Sequence, residues 1–189
     1  MEQFFQKLSF DAVLASELAN ITTVKKIAPK TTLLFEGDVA TKIYFIKHGA
    51  LRLWHNADRK DITLQFFFEN QTVCSFESFS LGEPSDFSIE SLEETEVYVL
   101  AKTDVEILSK QYPELNLVIT KLSAQRLVAY TKYFLSRIKE TPEERYRLLC
   151  QKDPRIVLRV PQIYLSSYLG ITPVSLSRIR TRIENSSGN

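Results

Sequence analysis

The residues best suited to chemistry lie in the stretch VPQIYLSSYLGITPVSLSRIRTRI, positions 160–183. At about 100° per residue, Val174, Ser177, Arg178, Thr181 and Arg182 share one helical face, with Ser175 on its flank. Leu176, Ile179 and Ile183 fall on the opposite face. Small polar groups beside arginines at a helix N-terminus suit the DNA major groove. The small side chains allow close approach, and an arginine can donate two hydrogen bonds to guanine O6 and N7. The preceding stretch, 161–169, reads as a second helix with Leu165, Tyr168 and Leu169 on one side. Gly170 permits the left-handed turn that ends it, Thr172 is a natural N-cap, and Pro173 suits a first helical residue. A helical hairpin packed only on protein would show the same pattern.

Other candidate chemistry is sparse. Cys74 and Cys150 are far apart and form no CxxC or Cys/His cluster, so zinc and iron-sulfur sites lack ligands and both read as free buried thiols. His48 and His55 are the only histidines and read as turn or surface residues rather than metal or haem ligands. No phosphate-binding glycine loop, nucleophile elbow or metal-ligand spacing occurs, which argues against an enzyme.

The elements that must position the C-terminal face follow from periodicity. Residues 2–8 and 10–20 carry apolar residues at helical spacing and predict two short helices. Between Thr22 and Ala101 the pattern turns to VKKIA, TTLLF, KIYFIKH, ALRLWH, DITLQFFF, TVCSF, FSIESL and EVYVLA. Such short runs, punctuated by turn residues including Gly37 and Gly49, predict a compact all-β barrel, sandwich or roll. From Pro113 to Pro142 no proline or glycine intervenes, predicting one long helix over 114–139. Along it Leu115, Ile119, Leu122, Arg126, Ala129 and Tyr133 recur at four- and three-residue steps, a short coiled-coil seam; Leu127, Tyr130 and Phe134 offer a second face that could pack on the chain's own sheet. A further helix is predicted over 142–151.

Charge divides with the elements. Residues 1–110 carry 11 Lys/Arg against 17 Asp/Glu, whereas 111–189 carry 13 against 6. An acidic sensor in front of a basic nucleic-acid-binding segment fits this asymmetry, because neutralising phosphates supplies most non-specific DNA affinity; a solvated basic helical face also fits. The start MEQFFQKLSFDAV has no basic, apolar leader pattern, and no apolar run reaches about 18 residues, so a soluble cytoplasmic protein without membrane contact is expected.

The segment LGITPVSLSRIR around Gly170 resembles the helix-turn-helix of the cyclic-AMP receptor protein / fumarate-nitrate reduction regulator (Crp/Fnr) superfamily. The upstream FEGDVATKIYFIKHGALRL resembles that family's β-roll, and the two stand in the family's order with the long helix between them. The resemblance implies an α+β chain: 1–112, N-terminal helices and a cyclic-nucleotide-binding-type, jelly-roll-like β-roll; 113–140, a dimerisation helix; 141–189, a helix-turn-helix domain. It places base reading at Pro173, Val174 and Arg178 and phosphate contacts at Thr172 and Ser175, with Arg182 nearby; Arg155 and Arg159 are expected to add backbone contacts. It also implies double-stranded DNA and a second copy of the chain as partners, a contact to RNA polymerase, and an unidentified small effector.

The family's nucleotide pocket uses Gly-Glu-Leu followed by Arg-Ser or Arg-Thr, the glutamate taking the ribose and the arginine the phosphate. Here VCSFESFSLGEPSDFSIESL puts Ser85 and Asp86 at the Arg-Ser/Thr positions, while Glu77 is a candidate for the glutamate. Without that cation a phosphodiester would not be neutralised, so no cyclic nucleotide and no other cofactor is expected; Phe76, Glu77, Ser85 and Asp86 mark the candidate effector pocket. After Ile183 only ENSSGN follows, so the family's β-hairpin wing is not expected. The leading reading is a homodimeric transcription regulator; the alternative is a ligand-binding or protein-interaction module without sequence-specific DNA binding.

Overall fold

A computed structural model describes residues 2–7, 10–57 and 60–187. Helices α1 (Glu2–Lys7) and α2 (Ala12–Ile21) lead into eight strands: β1 (Thr23–Ile27), β2 (Thr32–Leu34), β3 (Lys42–His48), β4 (Leu51–Ala57), β5 (Lys60–Phe67), β6 (Thr72–Val73), β7 (Ser88–Ser91) and β8 (Thr95–Ala101). All eight predicted strand runs contain a strand. A short helix, α3 (Phe76–Leu81), lies between β6 and β7; α4 (Lys102–Gln111) follows β8. Neither helix was expected from the sequence. Then come α5 (Pro113–Lys139), α6 (Pro142–Lys152), α7 (Pro154–Arg159), α8 (Gln162–Leu169) and α9 (Pro173–Ser187). Four of these five begin with proline, whose fixed φ and missing N–H cost nothing in a first helical turn.

The strands form two antiparallel four-stranded sheets, ordered β1-β8-β3-β6 and β2-β7-β4-β5. Tyr44, Ile46, Leu51, Leu53, Ile89 and Val97 fill the space between them, while Ile43, Phe45 and Leu100 carry the core to the outer face of the first sheet, under the helices. Asp11 caps α2 by accepting from Leu14 N at 2.8 Å, which seats Leu14 and Leu18 on this core together with Phe5 of α1. At the β3–β4 turn, Gly49 has φ 96°, and a Cβ there would lie 2.6 Å from the Glu94 carbonyl oxygen.

Strand β5 lies at a sheet edge, and α8 covers it. Ser167 Oγ donates to Asp61 O at 2.5 Å and accepts from Thr63 N at 3.0 Å, satisfying backbone groups an edge leaves open. A second apolar core forms across this contact, joining Ala50, Phe66, Phe68 and Leu92 to Tyr146, Ile156, Leu165, Leu169, Leu176 and Ile179. The C-terminal helices therefore rest on the β-roll through shared packing.

The long helix packs on its own roll by the face expected to form the seam. Leu115 is buried, Ile119 and Leu122 pack on the roll's core, and Arg126 lies over the Phe67 ring at 4.6 Å. Ala129 is half-buried, and Tyr133 donates its hydroxyl to Tyr168 O at 3.3 Å. The expected seam residues are thus occupied within the chain. The exposed apolar residues of α5 are instead Leu117, Leu127, Val128, Phe134, Leu135 and Ile138. A 27-residue helix with two apolar faces must turn one to the sheet, and here the bulkier exposed set stays outside. No helix among the described residues is long and apolar enough to cross a membrane.

Candidate nucleic-acid interface

Helices α8 and α9 meet at Gly170, which takes φ 70° and ψ 36°, the left-handed conformation glycine adopts without a Cβ penalty. Thr172 Oγ1 accepts from Ser175 N at 3.1 Å and so caps α9. The Thr172 and Ser175 hydroxyls also share a 3.0 Å hydrogen bond. Gln162 Nε2 donates to Pro173 O at 3.0 Å, tying the start of α8 to the start of α9. Leu176 and Ile179 are buried against Leu165 and Leu169, fixing which way α9 faces.

What remains outside is the face read from periodicity. Thr172, Pro173, Val174, Ser177, Arg178, Thr181 and Arg182 are exposed, and Ser175 is half-buried. Val174 is 61% accessible although apolar, as a residue meeting a thymine methyl would be. Among the described residues, Arg178 has no ion pair. Arg182 does: its Nη1 lies 2.7 Å from Glu143 Oε2, and Glu143 also holds Arg147 at 3.0 Å. Arg147 and then Arg182 hold the Glu143 carboxyl below the usual carboxylate range.

Two expected backbone-contacting arginines are used elsewhere. Arg159 forks onto Glu69 at 2.8 and 2.9 Å and also bonds Glu93. Arg155 bonds Asp153 at 2.8 Å and lies over the Phe68 ring. Both bind the acidic roll or its approach because the second core brings Glu69 and Glu93 within reach. The hydrogen bonds from Arg159, with one from Gly49 N, hold the Glu69 carboxyl down to about 2.

Two arginines that the sequence reading passed over surround the turn. The Arg137 guanidinium rests against Gly170, where a Cβ would fall 1.7 Å from its Nη1. Arg145 donates to Leu169 O at 3.0 Å and to Glu140 O at 2.5 Å, satisfying carbonyls at two helix C-termini. Their sequence signal was cations near the ends of predicted helices.

In the roll, the candidate effector residues do not share an open cavity among the described residues. Ser85 is buried; its hydroxyl lies 2.7 Å from Ser75 Oγ and 2.8 Å from Phe87 O, its one proton shared between them. Ser75 in turn donates to Glu77 Oε1 at 2.6 Å, and Phe76 is part of the core. Asp86 faces solvent, with its carbonyl oxygen 3.1 Å from His55 Nδ1. Thus Glu77 is turned onto a serine, and among the described residues no arginine pairs with Glu77 or Asp86, although Arg126 of α5 lies 6.0 Å from the Phe76 ring.

Comparison with known proteins bears on this geometry. Residues 24–112 match the family model of the cyclic nucleotide-binding domain. The whole architecture superposes on FixK2 of Bradyrhizobium japonicum with a TM-score of 0.79 at 16% identity, covering 88% of this chain and 86% of that one. The likeness is one of fold. The chain also resembles CLP of Xanthomonas campestris, described as a c-di-GMP-responsive global regulator, with a TM-score of 0.76 at 15% identity over 94% of this chain and 93% of that one. A protein assigned to the Crp/Fnr family from Eubacterium rectale gives 0.72 at 14% identity, covering 94% and 85%. A sequence comparison with curated proteins returned no match. The second and third of these proteins are described as regulators, and at these identities the likeness shows the fold.

Proposed function

We propose that this chain is a dimeric, sequence-specific DNA-binding regulator that places α9 in the major groove. The observation that carries the reading is the outer face of α9: Val174, Ser177, Arg178 and Thr181 stand exposed above a buried Leu176–Ile179 stripe, and Arg178 forms no ion pair among the described residues. Thr172 and Ser175, at the helix start, are placed for phosphate contacts, where the helix dipole favours an anion.

The dimer forms through the exposed stripe of α5. Leu117, Ala124, Thr131 and Ile138 recur every seven residues, and Thr120, Leu127 and Phe134 interleave three residues after each of the first three. This is a heptad seam whose flank carries Val128 and Leu135. The hydroxyls of Thr120 and Thr131 are satisfied by the carbonyls of Asn116 and Leu127, at 2.8 and 2.9 Å, so they bring no unpaired polar group to the seam. Two copies so joined would present two α9 helices to successive major grooves, about 34 Å apart. The roll supplies the sensing end but does not take a cyclic nucleotide, because Ser85 occupies the phosphate-cation position and is already bonded to Ser75 and Phe87.

Selection from a random DNA pool tests the reading. A two-fold symmetric motif with half-sites about one helical turn apart is expected, and binding that is blind to sequence would contradict it. By sedimentation, Phe134→Ser is expected to weaken the dimer at least about ten-fold while leaving the fold intact. A Phe134→Ser protein as dimeric as the parent would place the seam elsewhere. Cyclic AMP is expected to leave the melting temperature unchanged, and a saturable rise would overturn that part.

A further inference from the structure

A groove of about 410 Å³ runs between the β5–β6 turn and one flank of α5. Gln65, Phe67, Gln71, Lys121, Gln125 and Arg126 line it, and none of its lining residues is acidic. Its lining includes none of Phe76, Glu77, Ser85 or Asp86, although Arg126 also lies 6.0 Å from the centroid of the Phe76 ring. Its size is in the range of small-molecule sites.

Three observations point to a ligand. First, Arg126 is a cation without a carboxylate: its Nη2 donates to Thr72 O at 3.0 Å and its guanidinium lies over the Phe67 ring, a main-chain and an aromatic partner. Burial lowers its pKa, as expected of a desolvated charge that nothing negative offsets. Second, Arg126 Nε and Gln65 Oε1 are both buried without a hydrogen-bond partner among the described residues, on the walls of the same groove. Buried polar groups are normally hydrogen-bonded, and two orphans at one place call for a partner. Third, Lys121 forms no ion pair among the described residues and adds a second positive charge to the groove.

We propose that this groove binds a small hydroxy- or amino-carboxylate as the effector, which rests on the regulator reading above. The carboxylate would meet Arg126 and Lys121, where a forked guanidinium can give two parallel hydrogen bonds. The hydroxyl or ammonium supplies the donor that the Gln65 carbonyl oxygen lacks, with Gln125 and Gln71 offering further amide contacts. Phe67 forms the apolar floor. A ligand held by Lys121, Gln125 and Arg126 grips α5 two turns before Tyr133, whose ring packs on Tyr168 of α8 at 5.2 Å. Occupancy is thereby linked to the packing of the helix-turn-helix.

The test titrates the full chain with L-malate, L-glutamate, succinate and sulfate, following melting temperature and calorimetric heat. Malate or glutamate is expected to bind saturably and at least ten-fold more tightly than succinate or sulfate. Lys121→Gln, on the exposed side of α5, is expected to weaken that binding at least ten-fold without moving the melting temperature of the free protein, and Gln65→Leu is expected to erase the preference over succinate. Arg126→Gln should abolish binding; if it also unfolds the chain, Lys121→Gln and Gln65→Leu still decide. No saturable binding of malate or glutamate, equal binding of sulfate, or indifference to Lys121→Gln would each overturn the proposal. Binding without a selected DNA motif would spare the site and sink the regulator reading; a motif without binding would do the reverse.

Discussion

Two groups of arginines in this chain meet opposite fates. Arg52, on β4, has a side chain 1% exposed and is held by Glu90 at 3.0 Å and Asp61 at 2.9 Å; its guanidinium lies 3.7 Å from the centroid of the Tyr164 ring of α8. Arg159, on α7, is clasped by Glu69 and Glu93 of the roll. Arg178, on the outer face of α9, is exposed and has no ion pair among the described residues. The first two join the roll to the helices, whereas the third faces outward. The basic excess of residues 111–189 is therefore only partly available to nucleic acid, since Arg155 and Arg159 lie against the acidic roll. Net charge suggests a partner, and the pairing shows which charges are left for one.

The comparison can be broken at its buried end. Arg52→Ala leaves the largely buried Glu90 without its cation, frees the half-exposed Asp61 and strips Tyr164 of its cation, and is expected to cost about 3–5 kcal/mol in urea unfolding. A loss below about 1 kcal/mol would mean that this arginine does not join roll to helices. Arg159→Ala acts on a less buried cluster and is expected to cost about 1–3 kcal/mol. It also changes the acid limb. Glu69 is lowered from its ordinary 4.5 to about 2, so its contribution is full above about pH 4.5 and is lost as pH falls toward 2. Replacing Arg159 should flatten stability over that window, and an unchanged acid profile would contradict the assignment.

The comparison is sharpened at its exposed end by Arg182, whose pair with Glu143 is on the surface. Glu143→Gln is expected to leave the unfolding midpoint unchanged and to loosen Arg182 toward phosphate, steepening the salt dependence of DNA binding by about one unit of slope. If stability fell as far as for Arg159, exposed and buried pairs would not differ here as argued.

Much of this was legible beforehand. Alternating apolar runs broken by turn residues exposed the eight strands, and Gly170 with Thr172–Pro173 marked the turn and cap of the helix-turn-helix, because each signal is local. Helix α3 hid because the aromatic residues of FESFSL suit a strand as well as a helix. Helix α4 hid because it buries only Val105 and Leu108. On α5, periodicity revealed two apolar stripes but not which one the roll would occupy, since that depends on where β5 and β6 lie in space. The pairing of Arg159 with Glu69, 90 positions apart, left no sequence trace for the same reason.

The most direct test is a titration of the selected DNA site with the parent and with Arg178→Ala, across a salt series and with each base of the half-site varied. The account predicts a loss of about 1–3 kcal/mol in specific binding, relaxed preference at one base pair per half-site, and an unchanged unfolding midpoint. Full half-site preference retained by Arg178→Ala would contradict it.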